Sequence, residues 1–522
     1  MAEVIREEQE PRREGQTILP ADPEVQECKR ILIDGSSAPQ KIRLVEGTTV
    51  RRLGRQETGW HALFQGADGA SLLQYSLVMD SKQELTPNMV QLALEALQRQ
   101  VPMLRTRVED RDDGSYLVVG PYPSVKLEVL KPGGDWLKHH HKLLNETKID
   151  PSVGPLWKAC FMLRPTNIDE PPAPFHRSVL YLSLCHTITD GLSNAMLCGR
   201  VLENLDFLIR ESKIPKREPA PYFPSVEDML QRYMPDSRLS LFTMAAGKFL
   251  SSLFDRSMPP LLKKYVRPHQ STLPKSAYST GTIAVTVPNS EVARLRTLCH
   301  AHSVSLNAAL SAAVSFASAQ LAATAGASDV PTHLPTLWLV NARRYMPDAD
   351  WMYLSTVAGV ELTVNVEHAD LSEFWSVAEA LGKELRTKLN SQEPLFRLRS
   401  SSWFSPSDRG GLGGAELSGC IYSINNLGPL DRLMPRTRDV RAAELHRAVR
   451  APPALTDSLC SHCFQTVGGR LCYDLNYVRG RVADEDAERF SRLVVEILAE
   501  VASPIADDAD HDWDHLGGAA RA

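Results

Sequence analysis

The sequence has no long hydrophobic run and no apolar leader. No segment reaches the roughly 18 uninterrupted apolar residues that a membrane-spanning helix requires, so we expect no transmembrane helix. The nearest approach, residues 306–321, is rich in alanine and serine and predicts a tightly packed core helix. Residues 1–15 are charged and mixed in sign, which excludes the hydrophobic region of a secretory signal.

The chain also has no surplus of basic residues and few cysteines. Its 58 Lys and Arg against 63 Asp and Glu give a net charge of -5, so we expect no nucleic-acid partner. Nine cysteines in 522 residues, an odd count, favour reduced thiols over a disulfide framework. A cytoplasmic location is therefore predicted.

Composition and length indicate a globular protein with two lobes. The chain is 43% hydrophobic and 23% charged. A single core stops growing at roughly 250 to 300 residues, so two lobes of similar size are expected. Strand-like and helix-like patterns alternate in both halves, which predicts an α/β fold of mixed sheets covered by helices. The parts we assign are a flexible N-terminal arm at 1–45, an N-terminal lobe at 46–212, a crossover linker at 213–277, a C-terminal lobe at 278–502 and an acidic tail at 503–522.

The linker contains one amphipathic segment, 239–254, whose apolar residues need a partner. Packing on the rest of the same protein is the common outcome for such a helix. The same face could instead cover the mouth of a tunnel or make peripheral contact with a membrane surface. The pattern leaves these alternatives open.

The most informative stretch runs from an apolar strand into a helix. Residues 179–185 are almost continuously apolar, as in a strand buried on both faces. His186 follows, and after Gly191 apolar residues recur at helical spacing. A histidine at a strand end can stand in a cleft as a general base. Asp190 can satisfy the helix N-terminal amides or pair with an arginine, and Gly191 allows a close backbone approach.

Other chemistries fit the sequence less well. His186 and Asp190 have the i, i+4 spacing of metal ligands but no clear third ligand. Residues 191–195 approximate a G-x-S-x-G nucleophile elbow, but the last glycine is alanine and the strand does not lead directly into it. The three consecutive histidines at 139–141 diverge on a helix, and the cysteine pair within 460–463 stands alone. We therefore predict no metal site.

Four motifs together resemble the superfamily with a chloramphenicol acetyltransferase-like fold. Residues 186–191 resemble its HxxxDG motif, and 340–343 resemble its strand that ends in an arginine. Residues 426–428 resemble its NLG segment, and 101–105 resemble its early hP-x-LR stretch. The superfamily includes alcohol acyltransferases, mycobacterial lipid acyltransferases, plant acyltransferases and peptide-synthetase condensation domains. The sequence is most similar to the alcohol acetyltransferase and lipid acyltransferase branch.

The resemblance implies a two-lobed pseudo-dimer with a tunnel between its lobes. It also implies that His186 deprotonates an acceptor hydroxyl or amine, which then attacks a thioester carbonyl. Asp190, next to Gly191, would be structural and would pair with Arg343 to hold the histidine loop in place. Two departures bear on the branch: the DFGWG segment of the plant enzymes is missing, and Cys185 stands where a second histidine often precedes the motif.

In the same family the strand of Asn426 and Gly428 lines the tunnel, where a polar group or backbone amide could stabilise the oxyanion. We therefore expect an acyl-CoA-dependent O-acyltransferase that acylates the hydroxyl of a hydrophobic alcohol or lipid. Acyl-CoA would be a co-substrate, no cofactor would be bound, and the protein would be a monomer. A carrier-bound acyl group is the alternative donor, because no phosphate-cradling glycine loop decides between the two. The alternatives are a non-catalytic relative that binds a ligand or protein, and an amide-forming condensation-type enzyme.

Overall fold

The computed structural model describes most of the chain. The described residues are 27–31, 40–233, 260–324, 332–346, 353–399, 420–434, 437–452 and 458–503. The amphipathic segment predicted at 239–254 lies outside them, as do residues 1–26 of the predicted arm and 504–522 of the predicted acidic tail.

The strands of the described residues form four sheets. They are β1 Glu27–Arg30, β2 Gln40–Arg43, β3 Thr49–Arg52, β4 Leu72–Ser81, β5 Thr106–Arg111, β6 Gly114–Val119, β7 Glu128–Val129, β8 Trp157–Leu163, β9 His176–Cys185, β10 Ser279–Val287, β11 Thr332–Asn341, β12 Val357–Val366, β13 Tyr422–Pro429, β14 Val440–Val449, β15 Cys460–Val467 and β16 Arg470–Arg479.

Helices cover these sheets. The α-helices are α1 Arg55–Gly66, α2 Pro87–Gln100, α3 Trp136–Glu146, α4 Gly191–Glu211, α5 Val226–Tyr233, α6 Pro260–Lys263, α7 Asn289–Ala301, α8 Leu306–Thr324, α9 Phe374–Asn390, α10 Glu393–Arg399 and α11 Asp484–Val501. Short 3-10 helices occur at Pro102–Arg105, Lys275–Ala277 and Ala342–Tyr345.

The N-terminal lobe is built on a five-stranded sheet with the order β14-β4-β9-β8-β7. Strands β4 and β9 are antiparallel and in register from Leu72 opposite Cys185 to Ser81 opposite His176. Nearly every residue of both strands is buried. The apolar run at 179–185 predicts this burial on both faces, because alternation is lost when neither face meets water.

The C-terminal lobe contains a six-stranded mixed sheet with the order β10-β16-β15-β13-β11-β12. Strand β13 is parallel to both of its neighbours, and the other pairs are antiparallel. Helix α8 packs against this sheet and against α9 and α11. Within the described residues it is the one helix long and apolar enough to cross a membrane, and most of it is buried inside this lobe. The core helix predicted at 306–321 is confirmed.

Strand β14 comes from the C-terminal half of the chain but completes the N-terminal sheet. It pairs antiparallel with β4 and also contacts β15 and β16 of the other sheet. Its apolar residues Val440 and Leu445 accordingly lie in the core of the N-terminal lobe. Residues 440–449 of the predicted C-terminal lobe at 278–502 thus belong to the sheet of the N-terminal lobe. The α/β prediction of two lobes built on mixed sheets is confirmed.

Two segments of the predicted N-terminal arm form strands. Residues 27–30 and 40–43 form an antiparallel two-stranded ribbon, β1 with β2. The ribbon docks on the start of the linker, where the Ile31 N–H donates to the Tyr222 carbonyl at 3.0 Å and the Tyr222 N–H donates to the Lys29 carbonyl at 2.9 Å. Each strand contributes a single apolar residue to the core, Cys28 and Ile42, which is too few to give a periodic signal, so the sequence pattern does not predict them.

Charged residues are buried inside β14, so its hydrophobic pattern does not predict a strand. Glu444, His446 and Arg447 are all buried. His446 Nδ1 lies 2.7 Å from Asp474 Oδ1, and its Nε2 lies 3.1 Å from Glu444 Oε2. Glu444 also accepts a hydrogen bond from Arg470 at 2.9 Å. Because Asp474 and Arg470 belong to β16, these ion pairs join β14 to the C-terminal sheet.

The pKa of His446 makes this junction sensitive to pH. Burial lowers the pKa, but Asp474 and Glu444 outweigh burial and raise it from 6.5 to about 9. A histidine whose pKa is raised by folding contributes stability that is fully present below its unfolded value. That stability is lost as the pH rises through the folded value.

We expect the melting temperature of the wild type to exceed that of His446→Gln most at pH 6, and the difference to shrink as the pH rises to 9. The contribution at low pH is up to about 3 kcal/mol, because each unit of pKa shift is worth about 1.4 kcal/mol. Thermal unfolding followed by circular dichroism checks this, with the exposed His333→Gln as the control. A difference that stays constant from pH 6 to 9 would contradict the assignment.

Candidate functional site

His186 stands at the end of β9, where the chain leaves the sheet and turns into α4. Its imidazole lies flat on the indole of Trp60, with ring centroids 4.0 Å apart and an interplanar angle of 3°. Its Nδ1 lies 3.3 Å from the Ser355 hydroxyl, which precedes β12 in the other lobe. The ring is thus held by one residue from each lobe.

Burial determines the protonation state of His186. Loss of solvation lowers its pKa from 6.5 to about 4, although the Asp190 carboxylate acts in the opposite direction. The imidazole is therefore neutral near pH 7. A neutral imidazole has a free lone pair on one nitrogen, which a general base requires.

Asp190 caps α4 and pairs with an arginine of the other lobe. Its carboxylate accepts the Ser193 N–H at 2.8 Å, as helix N-caps do. Its other oxygen accepts Arg343 Nη1 at 2.7 Å and both the N–H and the hydroxyl of Thr356 at 2.9 Å. Burial raises the pKa of Asp190, but Arg343 outweighs burial and holds the pKa below its ordinary value. Asp190 is therefore a buried anion.

Arg343 makes further contacts that fasten the lobes together. It is buried, and its Nη2 donates to the Ser193 hydroxyl at 2.7 Å and to the Leu354 carbonyl at 2.8 Å. The Ser193 hydroxyl also donates to the Leu354 carbonyl at 2.9 Å. Ser193 is the residue that a nucleophile elbow at 191–195 would use, and here it is buried in the interlobe contact instead.

Gly191 allows α4 to begin against the strand of the NLG segment. A Cβ atom built on Gly191 would lie 3.0 Å from the Leu427 side chain. Asn426 lines the cavity between the lobes, and its Oδ1 accepts the Gly428 N–H at 2.8 Å. Its Nδ2 donates to Asn307 Oδ1 at 2.9 Å. Gly428 is not among the described residues that line the cavity, and its N–H is used by Asn426, so its tunnel or oxyanion role stays a prediction.

The cavity beside His186 measures about 320 Å³ and is mostly apolar. Both lobes contribute to its wall. The N-terminal lobe supplies Trp60, Leu73, Tyr75, His186 and Leu192, and the C-terminal half supplies Leu337, Leu339, Tyr422, Asn426, Cys460 and Tyr477. Its volume and lining are those of a site for a small organic ligand.

The described residues contain no cluster of three or more side chains suited to a metal ion. The three adjacent histidines bind different partners: His139 contacts the Asp135 carbonyl, His140 contacts Ser76, and His141 contacts Thr282 in the other lobe. Cys460 and Cys463 are buried in β15.

The sequence motifs predict three of the residues that lie together here, but they do not predict the residues that hold the imidazole. His186, Asp190 and Arg343 lie together, as the resemblance implies. Trp60 and Ser355, which hold the imidazole, carry no sequence signal, because stacking and a loop hydroxyl depend only on tertiary packing.

We expect Asp190→Asn to lose about 3 to 5 kcal/mol of stability, because Arg343 would remain buried without its anion. Urea unfolding followed by tryptophan fluorescence checks this. Asp135→Asn is the matched control, since Asp135 caps α3 by accepting the Lys138 N–H but is partly exposed. Equal stability of the two variants would show that the Asp190 charge contributes nothing to folding.

Solved structures with this fold cover most of the chain. Polyketide synthase associated protein 5 from Mycobacterium tuberculosis is 16% identical, with a TM-score of 0.61 over 88% of this chain and 99% of that one. TRI3 trichothecene 15-O-acetyltransferase from Fusarium sporotrichioides is 11% identical, with a TM-score of 0.61 over 86% and 95%. The epimerization domain from the third module of tyrocidine synthetase B is 13% identical, with a TM-score of 0.62 over 88% and 96%.

These structural likenesses establish the fold. No curated protein sequence matches the chain significantly. A family model does: the model described as "Condensation domain" matches residues 59–338, more than half of the chain and including the segment that carries His186 and Asp190. The chain therefore belongs to the condensation domain family, with the two-lobed fold of the chloramphenicol acetyltransferase-like superfamily.

Proposed function

We propose that this protein is an acyltransferase that moves an acyl group from an acyl thioester, acyl-CoA, to the hydroxyl of a hydrophobic alcohol or lipid. The observation that supports this most directly is the placement of His186. Its imidazole is neutral, oriented by Trp60 and Ser355, and forms part of the wall of an apolar interlobe cavity.

His186 acts as the general base in this proposal. In this proposal Nδ1, which lies 3.3 Å from the Ser355 hydroxyl, carries the imidazole proton, so Nε2 carries the lone pair that takes the proton of the acceptor. The acceptor oxygen attacks the thioester carbonyl, and a C–O bond forms. When the tetrahedral intermediate collapses, the C–S bond breaks and the imidazolium returns the proton to the thiolate. The products are an ester and a free thiol.

Asn426 is the candidate donor to the oxyanion. Its amide orientation is fixed, because Oδ1 must accept the Gly428 N–H. One of the two Nδ2 hydrogens is used by Asn307, and in this proposal the second donates to the oxyanion in the cavity that Asn426 lines. An oxyanion donor of this kind is worth about 10² to 10³ in rate. Asp190 and Arg343 act as positioning residues that hold the histidine loop.

Two alternatives share this fold: a non-catalytic binding protein and an amide-forming enzyme. The amide alternative uses the same base with an amine acceptor, so it differs only in the acceptor. A panel of alcohols and amines tested with acyl-CoAs of several chain lengths separates the three.

We expect His186→Ala to lose at least about 100-fold in kcat, because a positioned base contributes about 10² to 10⁴. Release of free thiol from acyl-CoA in the presence of the alcohol panel measures this. His333→Ala, which removes an exposed imidazole, is the matched control and should retain full activity. Equal thiol release by wild type and His186→Ala would exclude His186 as the base, and no release by the wild type with any pair would favour the binding protein.

The pH profile tests the same residue independently. Since burial lowers the pKa of His186 to about 4, the neutral form persists well below the ordinary value of 6.5. We expect kcat/KM to stay level from pH 8 down to about 5.5 and to fall below that. Enzyme held at each low pH and returned to pH 7.5 provides the control for unfolding. A reversible half-maximum near pH 6.5 would show that the base is not the buried imidazole.

A further inference from the structure

Arg447 is a buried cation on the cavity wall. It lies on β14, the strand that passes between the lobes, and only 3% of its surface is exposed. Its Nε donates to Gln465 Oε1 at 2.7 Å, and Nη2 donates to the carbonyl oxygens of Asn425 and Phe464. These partners are neutral. None of the ion pairs formed among the described residues includes Arg447.

The neighbouring carboxylates are already matched by other cations. Asp474 forms an ion pair with His446, and Glu444 forms ion pairs with both His446 and Arg470. His446 is protonated at pH 7, because its carboxylate partners outweigh burial and raise its pKa to about 9. Two carboxylates thus balance two cations, and the Arg447 guanidinium is surplus.

The rest of the cavity wall adds positive charge. Arg450, also on the wall, donates from its three nitrogens to backbone carbonyls only. Asp190 is the single acidic side chain among the described lining residues, and Arg343 neutralises it. The wall therefore carries a net positive charge in an otherwise apolar cavity.

A buried guanidinium without an anion is costly, and Nη1 of Arg447, which has no hydrogen-bond acceptor among the described residues, can donate to a carboxylate or a phosphate. We propose that the cavity takes a substrate with an oxyanion group on an apolar body, and that Arg447 receives the oxyanion. The acyl group or the alcohol acceptor then carries an acidic group in addition to its apolar body. The inference rests on the proposed function in one respect, because it calls the ligand a substrate.

Binding measured without turnover tests the proposal separately from catalysis. Isothermal titration of the purified protein with octanoate, octyl phosphate and octanol compares a carboxylate, a phosphate and a neutral head group on one chain. We expect one of the two anions to bind at least about tenfold more tightly than octanol, because a charge-assisted pair is worth roughly 1.5 to 3 kcal/mol. The stronger anion identifies the head group.

Arg447→Met should abolish this preference while octanol still binds. Arg447→Lys keeps the charge and should retain part of the preference for the anion. This variant tests the proposal if Arg447→Met does not fold. Arg441→Met is the matched control, because Arg441 lies on the same strand, is partly exposed and is not among the described lining residues. It should bind all three ligands as the wild type does.

Three outcomes would overturn the proposal. Octanol could bind as tightly as both anions, or the preference could survive in Arg447→Met. Coenzyme A alone could lose affinity in Arg447→Met by the same factor, which would assign the guanidinium to the phosphates of the donor. Failure of these binding tests leaves thiol release by the wild type unaffected, so it is distinguishable from failure of the proposed acyl transfer.

Discussion

The pairing of Asp190 with Arg343 joins the start of α4 in one lobe to the end of β11 in the other. Both side chains are buried, so each needs the other's charge to offset its loss of hydration. Thr356 and Ser193 occupy the remaining hydrogen-bonding positions, which leaves few alternative arrangements. The position of the His186 loop follows from this contact, because the loop ends at Asp190.

The site is composite because neither lobe contains all of its residues. The N-terminal lobe supplies the imidazole and the indole beneath it, while the C-terminal lobe supplies the Ser355 hydroxyl and the Asn426 amide. Strand β14 crosses between the two sheets and brings Arg447 to the same cavity. A rigid-body shift of one lobe against the other would therefore change the surroundings of His186 and of the Arg447 guanidinium together.

Sequence reasoning predicts this architecture well where local pattern and tertiary role coincide. Strand 179–185 is apolar because it is buried on both faces, and α4 begins at Gly191 because Asp190 can cap it. The hydrophobic pattern does not predict strands in which charged residues are buried as ion pairs. Strand β14 is such a case, because its sequence is polar although the strand is buried. The pattern also gives no signal for Trp60, because its role depends on stacking with the imidazole of His186 in the folded chain. The motif alone predicts a role for Gly428, whose N–H donates to Asn426 Oδ1 within the same strand.

The crossing of β14 has a consequence for the order of folding. Strand β4 pairs with β9 on one side, but its partner on the other side, β14, is far away in the sequence. The N-terminal sheet therefore has an unpaired edge at β4 until residues 440–449 are in place. Contacts of such high sequence separation slow folding and expose intermediates to aggregation. The N-terminal sheet therefore reaches its full width only after residues 440–449 have been synthesised, when most of the C-terminal half of the chain is already present.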